Sequence, residues 1–353
     1  MAVSQRALVG SLLGTAVGDA LGLPYEGLSP RRARRLLGAP TQYRLLPNRG
    51  LVSDDTEHAC MVAQSLIASG DDADRFANDL GRRLQLWLLG APAGIGLATL
   101  KASVRLCLGV SPHRSGVFSA GNGPAMRSPL LGVAIDDVEQ LRRFVRVSTR
   151  VTHTDPKAEW GAMAVALAAR TASQTSQVEP RGFASELRRV LDESGADELH
   201  ALIDKVAMSV AAGDSTESFA ASLGFRRGVS GYIYHTVPVV LHAWLANPDD
   251  FRGAVTAAIR CGGDADTTAA ITGAIAGSAT GKDGIPAEWL TRLTDWPRTE
   301  AWMERLAVTL SEARATGSRA PPPRLPVYGV LSRNMLFASV VLAHGFRRLL
   351  PPY

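Results

Sequence analysis

Apolar residues recur at three- and four-residue spacing through most of the chain, in stretches such as 59–68, 76–89, 159–172, 183–191 and 251–259. That period places apolar side chains along one stripe of a helix. Runs of alternating apolar and polar residues bounded by turns are scarce. The pattern therefore predicts an all-α protein, a compact assembly of many helices crossing one another with loops between them. Two of the predicted helices carry glycine at four-residue spacing: Gly10, Gly14, Gly18 and Gly22 in one, and Gly273, Gly277 and Gly281 in the other. Glycine inside a helix costs about 1 kcal/mol relative to alanine. Such ridges imply that another backbone packs directly against them, so both helices are expected at the centre.

Both ends of the chain hold long apolar runs. Arg6 followed by Ala7–Val17 faintly resembles a secretory signal, but the glycine spacing and the immediate Asp19 favour a folded helix. Residues 327–345 are interrupted by Ser332, Arg333 and Asn334, which favours a core or docking helix over a membrane span. Before it, residues 317–326 (GSRAPPPRLP) read as a stiff, extended connector tying that helix to the body, with 1–353 expected as one domain. The 353 residues are 46% hydrophobic and 20% charged, which suits a globular protein with a large core. Cys60, Cys107 and Cys261 stand far apart, so neither a zinc site nor a disulfide framework is implied, and a reducing, cytoplasmic setting is expected. Net charge is +5, with arginines clustered at Arg31, Arg32, Arg34 and Arg35. No aromatic interleaving or nucleic-acid motif accompanies them, so a solvated helix face is the first reading and an anionic-partner surface the second. A monomer is expected, with no membrane partner, while nucleic acid is not indicated but stays open.

Candidate chemistry lies in two acidic clusters. Ser53-Asp54-Asp55-Thr56 opens one apolar helix, and this placement alone is explained by capping. Gly262-Gly263-Asp264-Ala265-Asp266-Thr267-Thr268 opens the helix with the second glycine ridge. Capping explains it less well, because two carboxylates one residue apart repel unless positive charge sits between them. Four carboxylates and two hydroxyls, with no His or Cys inside either cluster, form an all-oxygen set suited to Mg²⁺, Ca²⁺ or Mn²⁺, and their number fits two cations better than one. Glu26 follows the first glycine ridge as a further oxygen donor or acid/base. Gly121-Asn122-Gly123 forms a Gly-rich turn whose amides could meet an anion, though a plain turn explains it equally. His153, just ahead of Pro156, alone reads as a capping or packing histidine.

The order of these motifs, GDALGLPYEG, SDDT, GIG, GNGPAMR, THTDP and GGDADTTAAITGAIAGSATG, closely resembles the ADP-ribosylglycohydrolase family across residues 10–281. The resemblance implies an all-α fold with a binuclear Mg²⁺ or Mn²⁺ centre and a hydrolase acting on ADP-ribosylated protein or another ADP-ribose derivative. It assigns Ser53, Asp54, Asp55, Asp264, Asp266 and Thr267 as metal ligands and the N-terminal family glutamate to Glu26. It assigns Ser119 through Gly123, including Gly121, Asn122 and Gly123, to the phosphate-contacting loop and His153 to the diphosphate. Tyr232, in Gly231-Tyr232-Ile233, is implied as an aromatic contact of the ADP-ribose cleft. Two positions depart from the family pattern. An aspartate linked to arginine-type substrates is Gly94 here, in Gly94-Ile95-Gly96, which is more like the branch acting on serine-linked ADP-ribose. Ala265 stands where threonine is usual.

The implied reaction places cations against the ribose hydroxyls and a water at the anomeric carbon, with Asp55 or Glu26 as acid/base. Two other classes fit the same residues: an ADP-ribose-binding protein without turnover, and a metal-dependent phosphohydrolase of nucleotide derivatives. The intact carboxylate set speaks against the first, and the absence of a phosphatase nucleophile motif against the second.

Overall fold

The computed structural model describes residues 3–175 and 177–347. The regular elements among them are helical: α1 (Gln5–Gly22), α2 (Pro30–Leu37), α3 (Asp54–Ser69), α4 (Ala73–Leu89), α5 (Leu97–Cys107), α6 (Gly123–Met126), α7 (Pro129–Ala134), α8 (Val138–Arg150) and α9 (Pro156–Gln174) come first. After them come α10 (Pro180–Val190), α11 (Asp197–Ala211), α12 (Thr216–Ser222), α13 (Ile233–Leu245), α14 (Phe251–Arg260), α15 (Ala265–Thr280), α16 (Ala287–Leu290), α17 (Glu300–Thr316) and α18 (Val327–Arg347). Single-residue bridges between loops are the only β-type pairings among the described residues. The fold is all-α, as the periodicity predicts.

Ser4 starts α1 by accepting a hydrogen bond from the Ala7 amide, and every residue from Ala7 to Gly22 is buried. A helix that is apolar all round belongs at the centre of a protein. Its main partner is α15, buried without a break from Ala265 to Ser278. The two run antiparallel in a strict register: Gly10 faces Gly277, Gly14 faces Gly273, Gly18 faces Ala269 and Gly22 faces Ala265. A methyl group on Gly10, Gly14 or Gly18 would lie 2.1 Å from the facing carbonyl oxygen. Backbone therefore touches backbone along four helical turns, which offsets the intrinsic penalty of helical glycine. Gly281 closes this ridge, its backbone also lying against Gly10. At φ 67° it ends α15, and Arg6 reaches past it to donate to the Ala279 and Thr280 carbonyls.

The antiparallel register sets the start of α15 beside the end of α1, and α3 packs against both. The connector at 317–326 is pinned to the body: Gln64 donates to the Pro323 carbonyl, and the Ala320 amide to that of Ile67. Ser332-Arg333-Asn334 breaks the apolar run within a continuous α18, and Arg333 and Asn334 face inward. Arg333 donates to Asp295, Glu57 and the Val52 carbonyl, and Asn334 to that of Gly90. By length and composition, both the first helix and α18 could cross a membrane. The former is wholly buried in the protein, while α18 is only 22% buried.

Gly14→Ala should destabilise the protein by about 3 kcal/mol, the upper end of the range for overpacking, because the obstructing atoms are backbone on a helix that cannot step aside. Thermal or denaturant unfolding checks this. An unchanged transition would show that α1 and α15 are not in van der Waals contact.

Candidate active site

The loop before α15 needs its two glycines. Gly262 and Gly263 have φ of 64° and 80°, and a Cβ on Gly263 would meet the Val229 carbonyl oxygen at 2.0 Å. On one side the loop is stitched to the segment after α1 by Gly27 N–H to Gly263 O (2.7 Å) and Gly263 N–H to Leu28 O (2.8 Å). On the other side Val229 N–H donates to Gly262 O (3.0 Å) and Asp264 N–H to Val229 O (2.8 Å). Glu26, the pair Asp264 and Asp266, and Ser230-Gly231 thus meet at one place. α3 begins beside them, where the Ser53 hydroxyl accepts from the Asp55 amide. Ser53 supplies the cap, so Asp54 and Asp55 are not needed for that purpose. Asp264 occupies the cap position of α15 but makes no capping hydrogen bond; its Oδ2 accepts from the Asn122 side-chain amide at 2.6 Å.

The carboxylates are gathered with little to neutralise them. Asp55 Oδ2 accepts from the Thr267 hydroxyl (3.2 Å) and the Ser53 hydroxyl (3.3 Å), while Oδ1 of Asp55 and Oδ1 of Asp266 are buried with no hydrogen-bond partner. Burial, followed by the charges of Asp19, Glu57 and Glu26, pushes the Asp54 carboxyl well above the usual carboxylate range. Asp55 is raised by burial and then by Asp19, Asp54 and Asp264; Asp266 by burial and then by Glu26, Asp264, Asp55 and Asp19. Burial also raises Asp264, against the hydrogen bond from Asn122. Such crowding of like charge is the electrostatic signature of a site built for a cation or a proton.

A cleft of about 570 Å³ opens over these groups. Glu26, Asp54, Asp264, Asp266 and Thr267 form its acidic wall, and Gly94, Gly96, Ser119, Gly121, Asn122, Gly123 and His153 also line it, with Asn122 bonded directly to Asp264. A methyl on Gly121 or Gly123 would stand 3.0 or 3.1 Å from the His153 ring, so these glycines let the loop lie on the histidine. Burial and then Arg127 push His153 down to about 3, leaving a neutral imidazole, and its Nδ1 lies 2.8 Å from the Thr152 hydroxyl. Two amides expected to face an anion are used internally. Asn122 N–H donates to Gly231 O, and Gly121 N–H to the Ser119 hydroxyl. Asn122 acts through its side chain, joining Asp264 to Thr236.

Ser53 and Asp55 lie directly behind the acidic wall, bonded to it through Thr267. Tyr232 does not line the cavity; its hydroxyl accepts from Lys157 Nζ at 3.1 Å, and its neighbours Ser230 and Gly231 form the wall instead. Asp19 has a role that spacing could not show. Fully buried in α1, it accepts from the Ser53 amide (2.8 and 3.0 Å), the Thr56 amide (3.2 Å) and the Thr56 hydroxyl. It fastens the start of α3 to α1, and burial raises it to about 6. The one clue in the sequence is a single acid in an otherwise apolar helix.

A sequence model of the ADP-ribosylglycohydrolase family matches residues 2–319. The chain belongs to the ADP-ribosylglycohydrolase family. Membership makes it an enzyme of the ADP-ribosyl hydrolase class, and the match runs past the last motif through α17, leaving α18 outside it. Among its relatives, an uncharacterised protein of Archaeoglobus fulgidus is 35% identical over 85% of this chain and 94% of its own length. The ADP-ribosyl-[dinitrogen reductase] glycohydrolase of Rhodospirillum rubrum is 28% identical over 82% and 91%, and human ADP-ribosylhydrolase ARH3 27% over 84% and 92%. A solved structure of an ADP-ribosylglycohydrolase-related protein complex superimposes with a TM-score of 0.65 at 27% identity, covering 88% of this chain and 98% of its own.

Within this family member, the donor set fits hard divalent cations. The oxygens come from carboxylates and hydroxyls, and two buried carboxylate oxygens lack partners. Among the described residues no three His, Cys, Asp or Glu side chains already stand in a metal-holding group, so the donors are gathered without being closed around an ion.

Added Mg²⁺ should stabilise the protein increasingly as pH rises from about 4 to about 7. A carboxyl raised in the fold holds its proton above the unfolded value, so without cation these aspartates lower stability as pH climbs through that window. A bound cation displaces those protons and reverses the trend. The buried, neutral His58, His153 and His242 have lowered folded pKa values and act oppositely, but equally with and without cation. The difference in melting temperature between Mg²⁺ and chelator should therefore grow with pH. A constant difference would contradict the assignment of these carboxylates as ligands.

Proposed function

We propose that the enzyme hydrolyses the glycosidic bond between ADP-ribose and a protein side chain, with O-linked serine favoured over arginine, using two Mg²⁺ or Mn²⁺ ions. The observation that carries this reading is the meeting of both acidic motifs in one cleft that the glycine loop on neutral His153 also lines. Ser53, Asp54, Asp55, Asp264, Asp266 and Thr267 would hold the ions, which when bound orient the ribose hydroxyls and polarise water. The names of the relatives, which describe hydrolases of ADP-ribosylated molecules, support the substrate class.

The chain's own groups divide the remaining work. Glu26 is exposed and lines the cleft, so its carboxyl can exchange protons with solvent and pass one to the departing side-chain oxygen. Asp55 is buried behind the wall and held by Thr267 and Ser53, a placement suited to fixing a ligand sphere. Glu26 is therefore the preferred acid/base of the two. The negative wall favours the oxocarbenium-like charge that develops on the ribose. Ser119 and His153 offer a hydroxyl and a ring nitrogen to the diphosphate without a fixed positive charge.

The acceptor preference rests on Gly94. Its φ is 82°, a backbone conformation in which a side chain is strained, and a Cβ there would meet nothing within 4 Å. This side of the cleft therefore presents open space where a carboxylate would grip a guanidinium in a two-pronged hydrogen bond.

Asp54→Ala and Asp266→Ala should each lower turnover at least roughly 100-fold while keeping the helical fold, since each removes a ligand. Wild-type rates at saturating metal would refute the metal-site assignment. On matched peptides at fixed metal, serine-linked ADP-ribose should be released faster than arginine-linked. Faster release from arginine would overturn the acceptor reading alone, whereas release of AMP or phosphate, or of nothing, would overturn the hydrolase reading.

A further inference from the structure

α18 presents a surface that the cleft does not use. Gly329, Arg333, Asn334 and Phe337 face the body. The opposite side exposes Tyr328, Leu331, Met335, Leu336, Leu342 and Phe346, each 44–73% exposed. Nearly half of the exposed large apolar side chains among the described residues sit on this one helix. No exposed position from Val327 to Phe346 carries a charge. The outward side of a surface helix is ordinarily polar, so an uncharged face about 30 Å long marks a surface that another phase or molecule covers.

Charge identifies the occupant. After Glu312 the sequence contains no Asp or Glu, but it has Arg314, Arg319, Arg324, Arg333, Arg347 and Arg348, more than the whole net charge of +5. Arg314, Arg319 and Arg333 pair with acids of the body. The far end of α18 meets α2 at a cavity of about 440 Å³ lined by Leu36, Leu37, Arg44, His344 and Arg347. Exposed Arg31, Arg32 and Arg35 follow within the ~12 Å length of α2. The far end of the apolar face thus adjoins the arginine-rich α2. Two copies placed face to face would bring these basic ends together with no acids on the helix to balance them, whereas an anionic lipid surface complements both the apolar face and its basic edge.

We propose that α18 lies flat on an anionic membrane, its apolar side in the headgroup layer and the exposed arginines of α2 against lipid phosphates. The helix lies on the membrane and does not span it. Spanning would tear Arg333 from Glu57, Asp295 and the Val52 carbonyl, and leave both acids buried without that partner. Phe337 and Val341 on its inner side share a cluster with Ala93, one residue before Gly94, so attachment holds one rim of the cleft near the lipid surface.

Co-sedimentation of the full chain with phosphatidylcholine vesicles, with and without phosphatidylglycerol, tests this. The protein should pellet with the mixed vesicles and not with the neutral ones, and added salt should release it. Met335→Glu with Phe346→Glu alters two exposed positions and should lower vesicle binding by roughly tenfold or more, with the melting temperature and release of ADP-ribose unchanged. Any of three outcomes would overturn the proposal: no binding to mixed vesicles, equal binding to neutral ones, or undiminished binding by the double variant. A concentration-dependent dimer in sedimentation velocity that the double variant abolishes would also overturn it, assigning the face to a second copy.

Discussion

Contact between the backbones of α1 and α15 is the constraint on which the rest depends. Four facing pairs, from Gly10 with Gly277 to Gly22 with Ala265, let two helices run antiparallel with carbonyl oxygens where side chains would ordinarily stand. Because the register is antiparallel, the end of α1 and the start of α15 are brought together. Asp19, three residues before the end of α1, then captures the first amides of α3. Two acidic motifs about 210 residues apart are joined through this frame by the hydrogen bond from Thr267 to Asp55.

The same frame makes the site electrostatically unfavourable when empty. Asp19, Asp55 and Asp266 are buried, Asp54 and Asp264 are half-buried beside them, and each has its carboxyl pushed up by desolvation. Cationic side chains are present nearby but engaged elsewhere: Arg298 and Arg333 pair with Glu57, and Arg127 is bonded to Ser148, Thr152 and the Gly123 carbonyl. Glu57, one helical turn along α3 from Asp54, thus takes up the charge of both arginines. The fold places its acids where only an added cation or protons relieve them, and tight backbone packing prevents them from spreading apart.

The glycine ladder was legible in the sequence because helix-interior glycine at regular spacing has few other causes. Its register was not, since spacing along one helix does not reveal which residue of the other faces it. Gly281 continues the four-residue pattern yet serves as a terminus, a difference only its φ reveals. The carboxylate motifs could be read because paired acids exceed what capping requires. The anchoring role of Asp19 was not legible because its partners lie 34 and 37 residues away, and a lone acid has no local pattern. The Asn122 amide read as an anion donor until its partner, Gly231, was placed beside it by the fold. In α18, the polar triplet was legible as a break in the apolar run, but sequence cannot show that Arg333 and Asn334 point inward to Glu57, Asp295 and Gly90.

The central claim is that the two acidic motifs form one cation site. Titration of Mn²⁺, followed by its electron paramagnetic resonance signal in the wild type, Asp54→Asn, Asp266→Asn and the double variant, tests it most directly. Each single variant should weaken binding, and the double variant should lose less than the two effects combined, because either change disrupts the same site. Independent effects that add in full, or Mn²⁺ binding that neither substitution alters, would contradict the account.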